Sequence, residues 1–226
     1  MPSFSAELVR RAPLSPRVES LSFLASEPFP RAAGQYVLLT LDEGSTHAFS
    51  VASPFDANAP ALFEIAVARG TTAESLLELE PGNQVMVTGP SGSLVWRADA
   101  PSLLIATGTG LSPLRALVHE QLARGVQAPI TLLFGCREAS EELWGDELSR
   151  LAAAHPSFRY LATHSQPLAG HTGRSGRVQA HLPTLVRGLG PELRAYLCGH
   201  TPMVNDCTTL LLESGVLPEH VYGESY

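Results

Sequence analysis

Cysteine, aromatic residues and long apolar runs are scarce in this 226-residue chain. Its three cysteines, Cys136, Cys198 and Cys207, are an odd number and do not stand at the paired spacing of metal ligands. This argues against a disulfide framework and against a cysteine-rich zinc or iron–sulfur site. No run approaches the ~20 apolar residues that a membrane helix needs, and the first residues lack the apolar core of a secretion signal. We therefore expect a cytoplasmic protein with no membrane span and no metal site, in which any redox chemistry belongs to an organic cofactor.

Positive charge is also in short supply. There are 15 lysines and arginines against 22 aspartates and glutamates, a formal net charge of -7, and no long basic run. Because polyanions are bound by basic patches, this balance argues against nucleic acid or an anionic membrane as a partner. The content of 44% hydrophobic and 16% charged residues is typical of a globular protein with an ordinary core.

The two halves of the chain have different periodicities. Up to about Trp96, short β-type runs ("VESLSFLA", "QYVLLTL", "LFEIAVA", "QVMVTG") alternate with turn-rich pieces, which predicts an antiparallel barrel or sandwich. After "RADAPS", the apolar runs "SLLIA", "ITLLFG", "FRYLAT" and "RAYLCG" alternate with helical patterns, which predicts parallel strands joined by helices. We place the boundary near residues 97–101.

The helical patterns of the second half have clear signals at their ends. Leu114, Leu117, Val118 and Leu122 share one face, and Gly125 follows them. A second stripe, Met203, Val204, Cys207 and Leu211, follows Thr201 as the predicted N-cap and Pro202 as the predicted first helical residue.

The segment "TGTGLSP" follows the first strand of the second half. Ligands of open parallel sheets bind beyond the carboxyl ends of the strands. Gly108 and Gly110 allow a ligand to approach the backbone, and the start of the following helix favours a phosphate. Pro113 stands at the last position of G-x-G-x-x-G. Two interpretations stay open here, a dinucleotide pyrophosphate site and a turn that needs glycine for its geometry alone.

Further segments agree with the first interpretation and occur in one order: "GQYVLL", "HAFSVAS", "PGNQVMVTGPSG", "GTGLSP", "FGCR", "LCGHTPM" and "GESY". In this set and order the chain resembles the ferredoxin–NADP reductase superfamily. The resemblance implies an antiparallel Greek-key β-barrel that binds FAD, over residues 1–97, and an α/β domain with a parallel sheet that binds NAD(P)H, over residues 98–226.

The resemblance also implies roles for residues of the barrel. Phe49 is expected to pack on the flavin and the Ser50 hydroxyl to hydrogen-bond near flavin N5, since a hydroxyl both donates and accepts. His47 stands where the family has an arginine for the FAD pyrophosphate, so FAD is expected to bind less tightly. Ala73 replaces a family Ser or Thr, which leaves the backbone near Gly70 to cradle phosphate. The expected flavin-binding residues are His47, Ala48, Phe49, Ser50, Ala66, Val67, Gly70, Thr71, Thr72 and Ser75. For Thr71 and Thr72, simple helix capping is the alternative.

The resemblance places the nucleotide in the second half. The expected NAD(P)H-binding residues are Thr107, Gly108, Thr109, Gly110, Pro113, Arg137, Ser165, Cys198, Gly199, Met203 and Tyr226. Cys198 is expected to pack on the nicotinamide, with an inert buried thiol as the alternative. Tyr226 is expected to cover the flavin and to move aside for the nucleotide, with a frayed tail as the alternative. The residues expected at the reaction centre are Ser50, Cys198, Glu224 and Tyr226.

The resemblance thus implies an FAD-dependent NAD(P)H oxidoreductase. Hydride reduces FAD, and electrons pass to a separate acceptor protein, namely ferredoxin, flavodoxin or an oxygenase component. Two alternatives stay open: an NAD(P)H-dependent free-flavin reductase, and a non-catalytic nucleotide-binding or electron-transfer subunit of a larger complex. Gln166 stands where phosphate-binding members carry an arginine, which favours NADH, while Arg137, Arg174 or Arg177 are candidates to bind the 2′-phosphate of NADPH.

Overall fold

The first half of the chain forms a six-stranded antiparallel sheet. The computed structural model describes residues 1–41, 44–190 and 192–226. The strands are β1 (Ser3–Ser15), β2 (Val18–Ala25), β3 (Tyr36–Thr40), β4 (Thr46–Ser50), β5 (Leu62–Ala68) and β6 (Gln84–Ser91). Their order is β4-β3-β6-β1-β2-β5. Because β6 lies between β3 and β1, the connections are those of a Greek-key arrangement and not of a simple meander.

The second half forms a six-stranded parallel sheet with helices. The strands are β7 (Ser102–Thr107), β8 (Ile130–Cys136), β9 (Phe158–His164), β10 (Arg174–Ser175), β11 (Arg194–Gly199) and β12 (Val221–Ser225), and the helices are α1 (Leu111–Ala123), α2 (Gly145–Ala154), α3 (Leu182–Leu189) and α4 (Thr201–Glu213). The strand order is β10-β9-β8-β7-β11-β12. The direction of winding reverses between β7 and β11, which makes their carboxyl ends a topological switch point.

The barrel and the parallel sheet share part of one core. Leu104 and Ala106 of β7 pack with α1 on one face of the parallel sheet, while Leu103 and Ile105 pack with α3 and α4 on the other. The first of these clusters also contains four residues of the first half, Val18, Ala33, Ala66 and Leu94. Helix α1 therefore packs against the barrel, and part of the interface between the two halves is apolar.

The predicted fold class is confirmed, and most predicted strands match the observed ones. The predicted alternation of Phe63, Ile65 and Val67 is present as three buried side chains, but Ala66 between them is buried too, because β5 has α1 on its outer face. Both predicted helix stripes are buried. Within the described ranges, no helix is long and apolar enough to cross a membrane.

Helix α4 begins one residue earlier than predicted. His200 is the N-cap and Thr201 is already helical, so Pro202 is the second helical residue and not the first. Proline fits either place because the first-turn N–H groups of a helix have no partner within the helix. The sequence reasoning also missed β1 and β12. β1 alternates at Phe4, Ala6 and Leu8, but Arg10, Arg11 and Pro13 interrupt the pattern in its second half, and β12 contains Gly223.

Candidate functional site

A cleft of about 630 Å³ lies where the barrel meets the carboxyl ends of the parallel strands. Its lining includes seven of the residues predicted to bind a cofactor: Gly70, Thr71, Thr107, Gly108, Arg137, Ser165 and Met203. Gly70 and Thr71 belong to the barrel, and the other five belong to the α/β half. The cleft is therefore large enough and correctly placed for part of a dinucleotide.

The predicted phosphate turn lies at the switch point. Gly108 has a positive φ of 54°, and residues 108–110 form a short 3₁₀ turn before α1 begins at Leu111. A side chain at Gly110 would overlap the Cys198 carbonyl and lie 2.6 Å from the Gly199 nitrogen. Glycine is thus needed at Gly110 for packing against β11 and at Gly108 for its backbone conformation, so the geometric interpretation of this turn accounts for both residues.

Tyr226 is bound at this same turn. Its hydroxyl donates to the Thr107 carbonyl at 3.1 Å and accepts from the Gly110 N–H at 3.0 Å and from the Thr109 hydroxyl at 3.1 Å. The phenol oxygen therefore takes up an N–H group at the start of α1, which is where an anion would otherwise accept. Tyr226 therefore lies against the turn, with its hydroxyl hydrogen-bonded to three of the turn's polar groups.

Cys198 and Glu224 are neighbours on adjacent strands. They form a register pair between β11 and β12. Cys198 is 2% exposed, and burial, followed by the negative charge of Glu224, raises the pKa of its thiol to about 12. The sulfur is therefore a neutral thiol near neutral pH, which suits packing against an apolar ring and does not suit nucleophilic attack.

Glu224 connects this pair to the barrel. Its Oε1 accepts a hydrogen bond from the Ser93 amide at 3.2 Å. A side chain at Gly92 would meet both Glu224 and the ring of Tyr36, and Tyr36 pairs with Ser50 across β3 and β4. The structure thus connects Ser50 with Cys198 through a chain of contacts across the interface, although neither residue lines the 630 Å³ cleft.

Three buried polar atoms at or near the site have no partner among the described residues. They are Oγ1 of Thr107 and Oε1 of Gln179, two residues that line the cleft, and Nε2 of His47, a residue that does not. Leaving such atoms unpaired is costly, so each is a place where a ligand atom would be stabilising. Phe49, in contrast, packs in the barrel core and is 9% exposed, and its predicted contact with the flavin remains a prediction.

An acidic side chain accepts a hydrogen bond from the backbone of the turn after β5. The Gly70 N–H donates to Glu74 Oε2 at 2.8 Å, and the Thr71 hydroxyl donates to the Ala68 carbonyl at 2.9 Å. The short helix over Glu74–Glu78 has Ala73 as its N-cap and no side-chain cap, so neither Thr71 nor Thr72 caps it. The Glu74 carboxylate therefore satisfies the Gly70 N–H, and the Thr71 hydroxyl satisfies the Ala68 carbonyl.

Several predicted residues lie apart from the cleft. Ala48, Thr72 and Ser75 are not among its lining residues, and Ala66 and Val67 are buried in the two cores. Of the three arginines considered for the 2′-phosphate, Arg137 and Arg177 line the cleft and Arg174 does not. Many lining residues carry no predicted role, among them Gly135, His200 and Asp206. Gly135 and His200 belong to the segments "FGCR" and "LCGHTPM" that carry the resemblance, whereas Asp206 lies within α4, where no local pattern marks it.

Comparison with known proteins places this architecture in a class. A family model described as an oxidoreductase NAD-binding domain matches residues 104–209. The chain is 38% identical to ferredoxin–NADP reductase B of Sorangium cellulosum (strain So ce56), over 99% of this chain and 97% of that protein. It is 32% identical to DmpP, the reductase component of phenol 2-monooxygenase of Pseudomonas sp. (strain CF600), over 94% of this chain and 62% of DmpP. The structure of the Amycolatopsis cytochrome P450 reductase GcoB matches with a TM-score of 0.90 at 25% identity, over 99% of this chain and 69% of that one.

The fold, the switch-point cleft and the NAD-binding match define an NAD(P)H-dependent flavin oxidoreductase. The likeness to ferredoxin–NADP reductase B over almost the whole length of both proteins makes the assignment specific. The chain belongs to the ferredoxin–NADP reductase superfamily. The predictions of the family, of an oxidoreductase and of FAD with NADH or NADPH as cofactors are confirmed. The roles of the single site residues stay predictions.

Proposed function

We propose that the chain takes hydride from NADH or NADPH onto FAD and passes the electrons to a separate acceptor protein. The observation that carries the proposal is the 630 Å³ cleft at the switch point, which the barrel and the parallel sheet line together. We assign residues 1–97 to FAD binding and residues 98–226 to NAD(P)H binding. Hydride transfer requires two rings in contact at about 3–3.5 Å, and an interface between two binding units supplies such a contact.

The residues present fit these cofactors. His47 Nε2 and Thr107 Oγ1 are buried atoms without partners in the described part of the chain, and each gains a hydrogen bond when a cofactor oxygen or nitrogen lies beside it. His47 and the turn at Gly70 would hold the flavin, and the turn at Gly108 would hold the pyridine nucleotide. When bound, FAD supplies a hydride acceptor that can release electrons singly or in pairs.

The protein's own groups position and shield the reacting rings. Ser50 offers a hydroxyl that can donate or accept at a ring nitrogen. Cys198 presents a neutral sulfur from a strand end that is almost fully buried, which keeps water away from the reaction. Tyr226 must leave the Gly110 N–H before a nucleotide phosphate can accept from it, so nucleotide binding requires a movement of the tail.

The acceptor is a separate protein in this proposal. Cys136, Cys198 and Cys207 are free thiols that cannot supply the four ligands of an iron–sulfur cluster. Ferredoxin–NADP reductase B and DmpP carry names that refer to a ferredoxin and to an oxygenase system. We propose an acceptor of that kind: ferredoxin, flavodoxin or an oxygenase component. Free thiols also suit a reducing compartment, and we propose the cytoplasm.

A second candidate function is a free-flavin reductase. Two observations favour it: a histidine replaces the arginine expected at the FAD pyrophosphate, and the Glu74 carboxylate already accepts from the Gly70 N–H. Both features weaken the attraction for a phosphate, because one lowers positive charge and the other adds negative charge.

An absorption spectrum of the purified protein tests both candidates. The first predicts flavin bands near ~450 nm that survive gel filtration and bleach when NADH or NADPH is added without oxygen. A colourless protein that reduces added FMN with either nucleotide would select the free-flavin reductase. Bound flavin that neither nucleotide bleaches would contradict both and would select a non-catalytic subunit.

A further inference from the structure

Arg115 on α1 binds residues of both halves of the chain. Its Nη1 donates to the Ala52 carbonyl and to Glu64 Oε2, both at 2.9 Å, and these acceptors belong to the first half. Its Nε and Nη2 donate to the two carboxylate oxygens of Glu147 on α2 at 2.7 and 2.8 Å. The guanidinium carbon also lies 4.7 Å from the centre of the Trp144 ring.

This bridge is well shielded from water. The Arg115 side chain is 11% exposed, and those of Glu64 and Glu147 are 20% and 26% exposed. Burial alone would lower the pKa of Arg115, but Glu147 and Glu64 together raise it, so the cation persists at all ordinary pH values. Shielded charge pairs are weakened less by salt than surface pairs are, and removing one partner is costly.

The bridge includes an ion pair that joins the two halves of the chain. Among the ion pairs of residues 1–41, 44–190 and 192–226, only Arg115–Glu64 joins the barrel to the α/β half. The geometry needs arginine, because one planar group points paired donors at Glu147 and a third donor at the barrel. Lysine would keep the charge but not these directions.

The two ends of the bridge lie next to the two sides of the proposed reaction centre. Ala52 follows Ser50 by two residues, and its N–H donates to the Glu64 carbonyl at 2.7 Å. Arg115 follows Gly110 by five residues, on the helix that begins at the phosphate turn. A displacement of α1 relative to β5 would therefore change the separation between Ser50 and the turn at Gly110.

We propose that Arg115 is a positioning residue for hydride transfer: by holding Glu64 and the Ala52 carbonyl against α1, it sets the separation between the flavin side and the nucleotide side of the site. The inference rests on the proposed function. A positioning role differs from a purely stabilising one. Only the contacts of Arg115 to the barrel affect the separation between the flavin side and the nucleotide side, whereas its contacts to Glu147 lie within the α/β half.

Two matched variants separate these roles. Glu64→Gln and Glu147→Gln each remove one negative charge that faces the Arg115 guanidinium. Glu64 lies across the interface from Arg115, whereas Glu147 lies in the same half of the chain. In anaerobic stopped-flow experiments with the flavin-loaded protein, Glu64→Gln is expected to slow flavin bleaching at saturating nucleotide at least about tenfold, since small misplacements of reacting groups cost this much. Nucleotide affinity should stay within about twofold. Arg115→Lys should resemble Glu64→Gln.

Two control variants distinguish a change in the position of the reacting groups from a change in stability or in surface charge. Glu147→Gln is expected to lower the melting temperature but to keep the bleaching rate within about threefold of the wild type. Glu80→Gln removes an exposed ion pair with Arg11, away from α1, and should change neither quantity. Equal slowing by Glu64→Gln and Glu147→Gln, or no slowing by Glu64→Gln, would overturn the proposal.

Hydrogen exchange provides a readout that does not depend on turnover. Glu64→Gln should increase amide exchange in residues 50–53 and at the start of α1, while the central strand β8 keeps the protection of the wild type. A general loss of stability would raise exchange in β8 as well and would contradict a positioning role. Failure of both nucleotides to bleach the wild-type flavin would instead overturn the proposed function, and the exchange experiment would still show whether the bridge joins the halves.

Discussion

Replacing Glu147 with glutamine should lower the stability of the protein at neutral pH and leave it almost unchanged near pH ~2. Burial alone would raise the pKa of this carboxyl, but hydrogen bonds with His119 and Arg115 and the charge of Arg115 lower it from 4.5 to about 2. The difference of about 2.5 corresponds to about 3 kcal/mol at about 1.4 kcal/mol per unit. Because the folded-state pKa is depressed, this stabilisation is complete above pH 4.5 and disappears as the pH falls towards 2.

Glutamine resembles the protonated acid, so the comparison isolates the charge. Urea unfolding followed by circular dichroism should give a wild-type advantage over Glu147→Gln of about 3 kcal/mol near pH ~7. The advantage should fall to about 1.4 kcal/mol near pH ~3, where most of the unfolded-state carboxyl is already protonated. As a control, Glu80→Gln removes an exposed pair with Arg11 and should cost under about 0.5 kcal/mol at every pH. A difference for Glu147→Gln that does not vary with pH would refute this reasoning.

Three further outcomes follow from the geometry of the site. Tyr226→Phe frees the Gly110 N–H, so the KM for NAD(P)H should fall about 3- to 10-fold in steady-state assays, and an unchanged or higher KM would show that the phenol does not compete with the nucleotide. Gly110→Ala places a methyl group against the Cys198 carbonyl and should lower the unfolding free energy by about 2 kcal/mol or more, whereas Gly188→Ala, which has open space in α3, should be neutral or slightly stabilising. Because burial raises the pKa of Cys136, Cys198 and Cys207 to about 12, a disulfide reagent near pH ~8 should label none of them rapidly in the native protein and all three in urea, and one fast thiol in the native state would contradict this.

Local chemistry made most of the fold predictable. The runs "LFEIAVA" and "RAYLCG" coincide with β5 and β11, because β-branched, aromatic and leucine side chains in short runs bounded by turn residues have few other stable arrangements. The glycine turn after β7 was likewise recognisable, since a positive φ and a close backbone approach both demand glycine. β12 was not recognised, because a short strand that contains Gly223 gains its order from pairing with β11.

The site was predictable only in part. The sequence order of "HAFS", "GTGLSP", "LCGHTPM" and "GESY" indicated which segments meet, but not how their side chains are used. Nothing local indicated that the Tyr226 hydroxyl binds the turn after β7, or that Glu74 accepts from the Gly70 amide. Arg115 was not singled out at all, since on α1 it looks like any helix arginine.

The amino-acid sequence by itself determined the two structural classes, their order and the glycine turn after β7, because each depends on interactions between residues that are near one another in the chain. The tertiary structure alone decided which polar groups are paired, which buried polar groups have no protein partner in the described part of the chain, and how the halves are joined. Arg115 and Glu64 are 51 residues apart, and Thr109 and Tyr226 are 117 apart. Contacts at such separations form only when the whole chain has packed, since each needs two distant segments to be brought together against the loss of chain entropy.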